Sequence, residues 1–125
     1  MDARTKVDSL LALITGIDLN AVAETTLFTC PAGKSCIITK VILHNVEGAG
    51  LPLGTASISF GWNTANADDV IANAVRAITD ATNYEIIPAK SEAVRGVAAG
   101  TFKIDVQIAE GAVLTGDIAV FGFLY

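Results

Sequence analysis

Phe102, Ile104, Val106 and Ile108 alternate with Thr101, Lys103, Asp105 and Gln107 over eight consecutive residues. A period of two is usable only by a strand with one face buried and one face wet, so this stretch commits the chain to β-structure. Ala56 to Gly61 repeats the pattern, with Ile58 and Phe60 on one side and Ser57 and Ser59 on the other. Ile37 to Leu43 is almost wholly apolar, interrupted by Thr39 and Lys40, and reads as a central strand covered on both faces. Turn chemistry at Pro31-Ala32-Gly33-Lys34, Glu47-Gly48-Ala49-Gly50, Ala99-Gly100 and Glu110-Gly111 punctuates such runs. Strands are expected near Leu11 to Ile17, Ala23 to Thr29, Ser35 to Asn45, Thr55 to Gly61, Tyr84 to Ile87, Ala93 to Val97, Thr101 to Ala109 and Gly116 to Leu124. Short strands at this spacing indicate an all-β sandwich or barrel.

One segment resists that reading. From Ala67 to Ile78 the residues Val70, Ile71, Ala74, Val75 and Ile78 recur at near-helical spacing, and Asn66 or Asp68 can serve as the N-cap. A short helix over 67–74, closing one end of the sandwich, is the expectation. A strand through Val75 to Thr79 is the competing one.

The chain has 125 residues, 52% of them apolar and 17% charged, enough for one core and one domain. Residues 1–9 read as a polar, mixed-charge arm and residues 10–125 as the domain. Leu10 to Ile17 followed by Ala21-Val22-Ala23 has the outline of a secretory signal, but Asp2 and Asp8 offset Arg4 and Lys6, and a first strand is the better reading. No run approaches the length of a membrane-spanning helix. With 8 scattered Lys and Arg and a net charge of −5, the chain lacks the basic cluster that a nucleic-acid groove requires.

Catalytic chemistry is limited by inventory. His44 is the single histidine, so a metal site of the several-histidine kind is unavailable. Asp68-Asp69 lack the spacing of a calcium loop and read as a solvated segment start. No phosphate-cradling glycine loop or nucleophile elbow occurs. No enzyme activity, cofactor or metal is expected.

Three groups of residues invite other readings. The last strand places Ala119, Phe121, Phe123 and Tyr125 opposite Ile118, Val120 and Leu124, so both of its faces are apolar. Phe121, Phe123 and Tyr125 then mark either a contact with a partner or a patch covered from within the chain. Trp62, with Asn63 at a strand end, and Tyr84 are candidates for stacking on a sugar ring, although a lone Trp more often belongs to the core. Cys30 and Cys36 flank a five-residue hairpin loop and are placed for a cross-strand disulfide; two buried thiols are the favoured reading for a chain made in the cytosol.

Thr15-Gly16-Ile17-Asp18-Leu19-Asn20, Leu27 to Lys34, Ile58-Ser59-Phe60-Gly61 and Val120 to Tyr125 resemble strings in small jelly-roll virion proteins of tailed bacteriophages. The resemblance extends over most of the chain. It implies an antiparallel jelly-roll sandwich and a non-enzymatic decoration or cement protein, made in the host cytoplasm. Such a protein would bind the major capsid protein on the outer capsid as a homotrimer. Phe121, Phe123 and Tyr125 would then be the contact between subunits. A carbohydrate-binding or host-attachment jelly-roll module of a tail or fibre is the alternative.

Overall fold

The computed structural model describes residues 8–64, 66–76 and 78–125. Eight strands run in the order β1 (Ser9–Asp18), β2 (Ala23–Thr29), β3 (Cys36–Glu47), β4 (Ser57–Gly61), β5 (Ile71–Val75), β6 (Glu85–Pro88), β7 (Thr101–Ile108) and β8 (Thr115–Leu124). They form two four-stranded antiparallel sheets, β1-β8-β3-β6 and β2-β7-β4-β5, here called sheet one and sheet two. The pairing is nested: β1 with β8, β2 with β7, β3 with β6, and β4 with β5. The chain is thus a long antiparallel hairpin rolled so that its two arms also pair across β3–β8 and β4–β7.

Alternation decides which side chains meet between the sheets. Ile58, Phe60, Phe102, Ile104 and Val106 point inward from sheet two, and Ile38, Val41, Leu43, Ile118 and Val120 from sheet one. Phe60 and Phe102 stack with centroids 6.2 Å apart and planes 18° from parallel. One end of the sandwich is filled by Leu19, Val46, Leu53, Ile78 and Leu114. The other holds the buried pair Cys30 and Cys36, where Cys36 and Gly96 exchange both backbone hydrogen bonds, as do Ser35 and Tyr125.

The expected helix over 67–74 is absent. Ile71–Val75 is strand β5, paired with the open edge of β4. Ile71 packs inward beside Phe60, while Ala72 to Val75 are exposed, so the near-helical spacing never marked a buried stripe. A vacant ladder next to β4 outweighs a weak helical propensity. The strand expected at Ala93–Val97 reduces to one bridge, Cys36 with Gly96. Gly96 is held there because a Cβ would collide with the Trp62 ring. The first strand begins at Ser9, inside the arm assigned to residues 1–9, and residues 1–7 of that arm lie outside the described residues.

Candidate functional site: the outer face of sheet one

The two outer faces of the sandwich differ in chemistry. On sheet two the outward positions of the central strands are polar: Ser59, Lys103 and Asp105. All three are nevertheless buried, at 0%, 8% and 6% exposure, because the β4–β5 loop folds over them. The Lys103 ammonium donates to the carbonyls of Trp62 at 3.0 Å and Thr101 at 3.2 Å. The backbone N–H of Ala67 donates to Asp105. The loop holds its own shape through Asn63, whose side-chain oxygen accepts from the N–H groups of Asp68 and Asp69, and through Asp69, which accepts the Trp62 N–H. Asp68 and Asp69 are thus engaged in loop structure. Burial pushes the Asp105 carboxyl up, and Glu24, directly opposite on β2, pushes it further.

Sheet one has no such cover among the described residues. Cross-strand register builds one apolar rung through all four strands, Leu13–Ala119–Ile42–Ile86. A second rung runs Leu10–Phe121–Lys40–Pro88, and Phe123 pairs with Ile37 in a third. Leu10, Leu13 and Ile86 are 53%, 52% and 52% exposed. Four strands about 4.8 Å apart, and rungs spanning about six residues at about 3.4 Å each, give a projected face of about 400 Å². That is the size of the largest apolar patch on a typical monomer, which is often functional.

Polar groups rim and punctuate this face. Lys40 Nζ lies 5.3 Å from the centroid of the Phe121 ring, a cation–π distance. Its charge is met by Asp8 at 3.9 Å, and the Thr39 hydroxyl donates to the same carboxylate oxygen at 2.7 Å. At one end His44 pairs with Asp117, whose carboxyl is held below the usual range by the Gly16 N–H and the Asn45 amide, with His44 adding to the shift. At the other end Phe123 and Tyr125 meet at 6.4 Å. There Ile37, Ile38, Ala93, Val94, Arg95 and Tyr125 line a hollow of about 310 Å³. Arg95 Nη1 donates to the Tyr125 hydroxyl at 3.3 Å, which draws the guanidinium to the lip.

The structure thus gathers the three aromatic residues singled out in the sequence: Phe121 at the centre of the face, Phe123 beyond it, Tyr125 at the hollow. The register adds Leu10, Leu13, Ile37, Ile42 and Ile86, which share the face only because β1, β3 and β6 flank β8. Trp62 and Tyr84 are not brought together. Trp62 lies at the cysteine end, half-buried against Gly96 and tilted on Phe102 at 5.3 Å. Tyr84 is 66% exposed and precedes β6 at the opposite end. Cys30 and Cys36 are free, buried thiols. The Cys30 thiol donates to the Lys34 carbonyl at 3.3 Å, and burial, reinforced by Cys30, pushes the Cys36 thiol up to about 12.

No protein-family model matches the chain, and no curated protein sequence matches it. Among solved structures, a chain from the acidic stable capsid structure of the Helicobacter pylori bacteriophage KHP30 is similar in fold, with a TM-score of 0.50 at 14% identity. The likeness covers 94% of this chain and 92% of that one. It spans both sheets and describes an architecture.

Proposed function

We propose that this chain is a non-enzymatic structural protein of a bacteriophage virion that decorates the outer capsid as a homotrimer and cements it, with the outer face of sheet one as its adhesive surface. The observation that carries this reading is the contrast between the two sheets. One outer face is polar and roofed by its own loop; the other is an apolar ladder four strands wide without cover among the described residues. The likeness to a phage capsid chain supports the virion setting. The nested strand pairing supports reading the sandwich as a jelly roll.

A three-fold ring requires two different patches on each copy, because only two-fold contacts are self-complementary. The part of the face built on the Leu13–Ala119–Ile42–Ile86 and Leu10–Phe121–Lys40–Pro88 rungs is assigned to the capsid shell. The Phe123–Tyr125 end is left for contact between copies, and the shell contact is multiplied when copies are joined. Linking weak contacts raises avidity by about 10² to 10⁴ without a new kind of interaction. The sugar-binding alternative loses its paired platform with Trp62 and Tyr84 at opposite ends.

The test is co-sedimentation of the purified protein with capsids lacking it, alongside a Phe121→Ser, Phe123→Ser variant checked for folding by circular dichroism. Saturable binding by the parent and its loss in the folded variant are expected. A parent that never binds such capsids and stays monomeric would overturn the proposal.

A further inference from the structure

We propose that copies of this chain join head to tail, with Val22 of one copy seated in the hollow between Ile37 and Tyr125 of the next and Glu24 of the first paired with Arg95 of the second. The inference rests on the homo-oligomer reading above and names the joint.

The hollow specifies its occupant by chemistry. Its walls are Ile37, Ile38, Ala93 and Val94, and its volume of about 310 Å³ accepts an aliphatic side chain with some of the backbone that carries it. Its lip holds the guanidinium of Arg95, which faces no carboxylate among the described residues and hydrogen-bonds only the Tyr125 hydroxyl. A fitting segment therefore offers an exposed aliphatic residue with an uncommitted carboxylate one or two residues away. Arginine takes such a carboxylate well because its planar fork of donors matches the two oxygens.

The exposed aliphatic residues of this chain can be sorted against that requirement. Val113 follows Glu110, but that carboxylate already accepts the N–H groups of Gly54, Thr55 and Ala56. Ile86 adjoins Glu85, which is bound to Arg76, and Leu10 follows Asp8, which is bound to Lys40 and Thr39. Val75 precedes Arg76, a like charge for Arg95. Ile108 precedes the same committed Glu110, Leu13 and Val97 have no carboxylate within two residues, and Val94, near Glu92, is itself a wall of the hollow. Val22 remains, 66% exposed, with Ala23 and Glu24 after it. In extended chain residues two apart lie on one side, so Val22 and Glu24 approach a partner together.

Glu24 also has a reason to accept a cation from outside. It stands directly opposite Asp105 across the β2–β7 ladder, and like charges in that position repel. No cation pairs with Glu24 among the described residues. Val22 precedes β2 at the end of the sandwich remote from the hollow, so the contact is heterologous and each copy supplies both halves, which gives a ring where the rotation between copies closes and an open chain of copies where it does not.

The experiment is light scattering after size exclusion over a range of concentrations, on the parent, Arg95→Glu, Glu24→Arg, the double variant and Val22→Ser, with circular dichroism to confirm folding. The parent is expected to assemble, and each single variant to run as a monomer where the parent is assembled, an at least tenfold weakening. The Arg95→Glu, Glu24→Arg double variant should assemble again, because its reversed charges complement each other. Mixing the two single charge variants should restore association in strict alternation, because Glu24 of the first meets Arg95 of the second and the two substituted positions also carry opposite charges. Even-numbered or open assemblies are then expected where neither variant assembles alone. A parent that is monomeric throughout, folded single variants that keep the parent's mass, or a double variant that stays monomeric would overturn the joint. Capsid binding that survives in a monomeric variant would separate loss of the joint from failure of the virion reading.

Discussion

At the scale of single residues, carboxylates fasten the loops to the sandwich. Glu110 accepts three consecutive backbone N–H groups, from Gly54, Thr55 and Ala56, and so fixes the entry to β4. Charge-assisted bonds of this kind are stronger than neutral ones, and removing the acceptor leaves donors to be hydrated or orphaned. Glu110→Ala is expected to lower unfolding stability by about 1–3 kcal/mol, read from urea midpoints, with Glu110→Gln recovering part of it. Two aspartates carry opposite pH signatures. The Asp117 carboxyl is depressed in the folded state, so its stabilisation is present above the unfolded range near ~3.9 and is lost as pH falls through its folded value. The Asp105 carboxyl is raised by burial and by Glu24, so its ionisation works against folding. That deficit develops as pH rises from the unfolded range through the raised folded value and is fully present at neutral pH. An asparagine there can still accept the Ala67 N–H. Asp105→Asn should therefore be more stable than the parent at pH 7, with the advantage shrinking toward pH 3 in urea titrations at each pH. An advantage that grew on acidification would contradict the sign.

At the scale of elements, legibility follows the source of the constraint. The strand expected at Thr101–Ala109 is found as Thr101–Ile108, because its alternation is a property of its own residues. Strand β5 departs from the expected helix because the near-helical spacing through Val70 to Ile78 is overridden by the ladder that β4 offers. The apolar outer face of sheet one was legible only in β8. Leu13, Ala119, Ile42 and Ile86 become one rung through the order of strands, which local spacing does not encode. The sheet edges are poorly suited to association by strand addition. Edge strands β1, β2 and β5 carry register irregularities, and β6 is four residues long and ends in Pro88. Such features blunt strand-to-strand addition. Close packing of strands also makes Gly122 a point of no tolerance, since a Cβ there would strike the Ile37 carbonyl of β3. Gly122→Ala should part β8 from β3 at that rung, and accelerated amide hydrogen exchange at Ile37 and Ile38 beyond that at β7 would report it.

At the scale of the molecule, size decides how the face can work. A projected patch of about 400 Å² buries about 800 Å² in total against a partner, below the 1,200 to 2,000 Å² of stable one-to-one complexes. A single copy should therefore hold a shell weakly, and several joined copies should hold it well. Leu13→Lys with Ile86→Lys places two charges at residues already half exposed, where substitution seldom disturbs folding. The pair should unfold like the parent and assemble like the parent, because both residues lie away from the hollow and from Val22. It should nevertheless fail to co-sediment with capsids lacking the protein. Arg95→Glu should show the complementary behaviour: monomeric and still bound through the same face, but with affinity reduced by the lost avidity. The two variants together divide association into a face that grips and a joint that multiplies the grip. Equal capsid binding by the parent and the Leu13→Lys, Ile86→Lys variant would show that the four-stranded face is not the gripping surface.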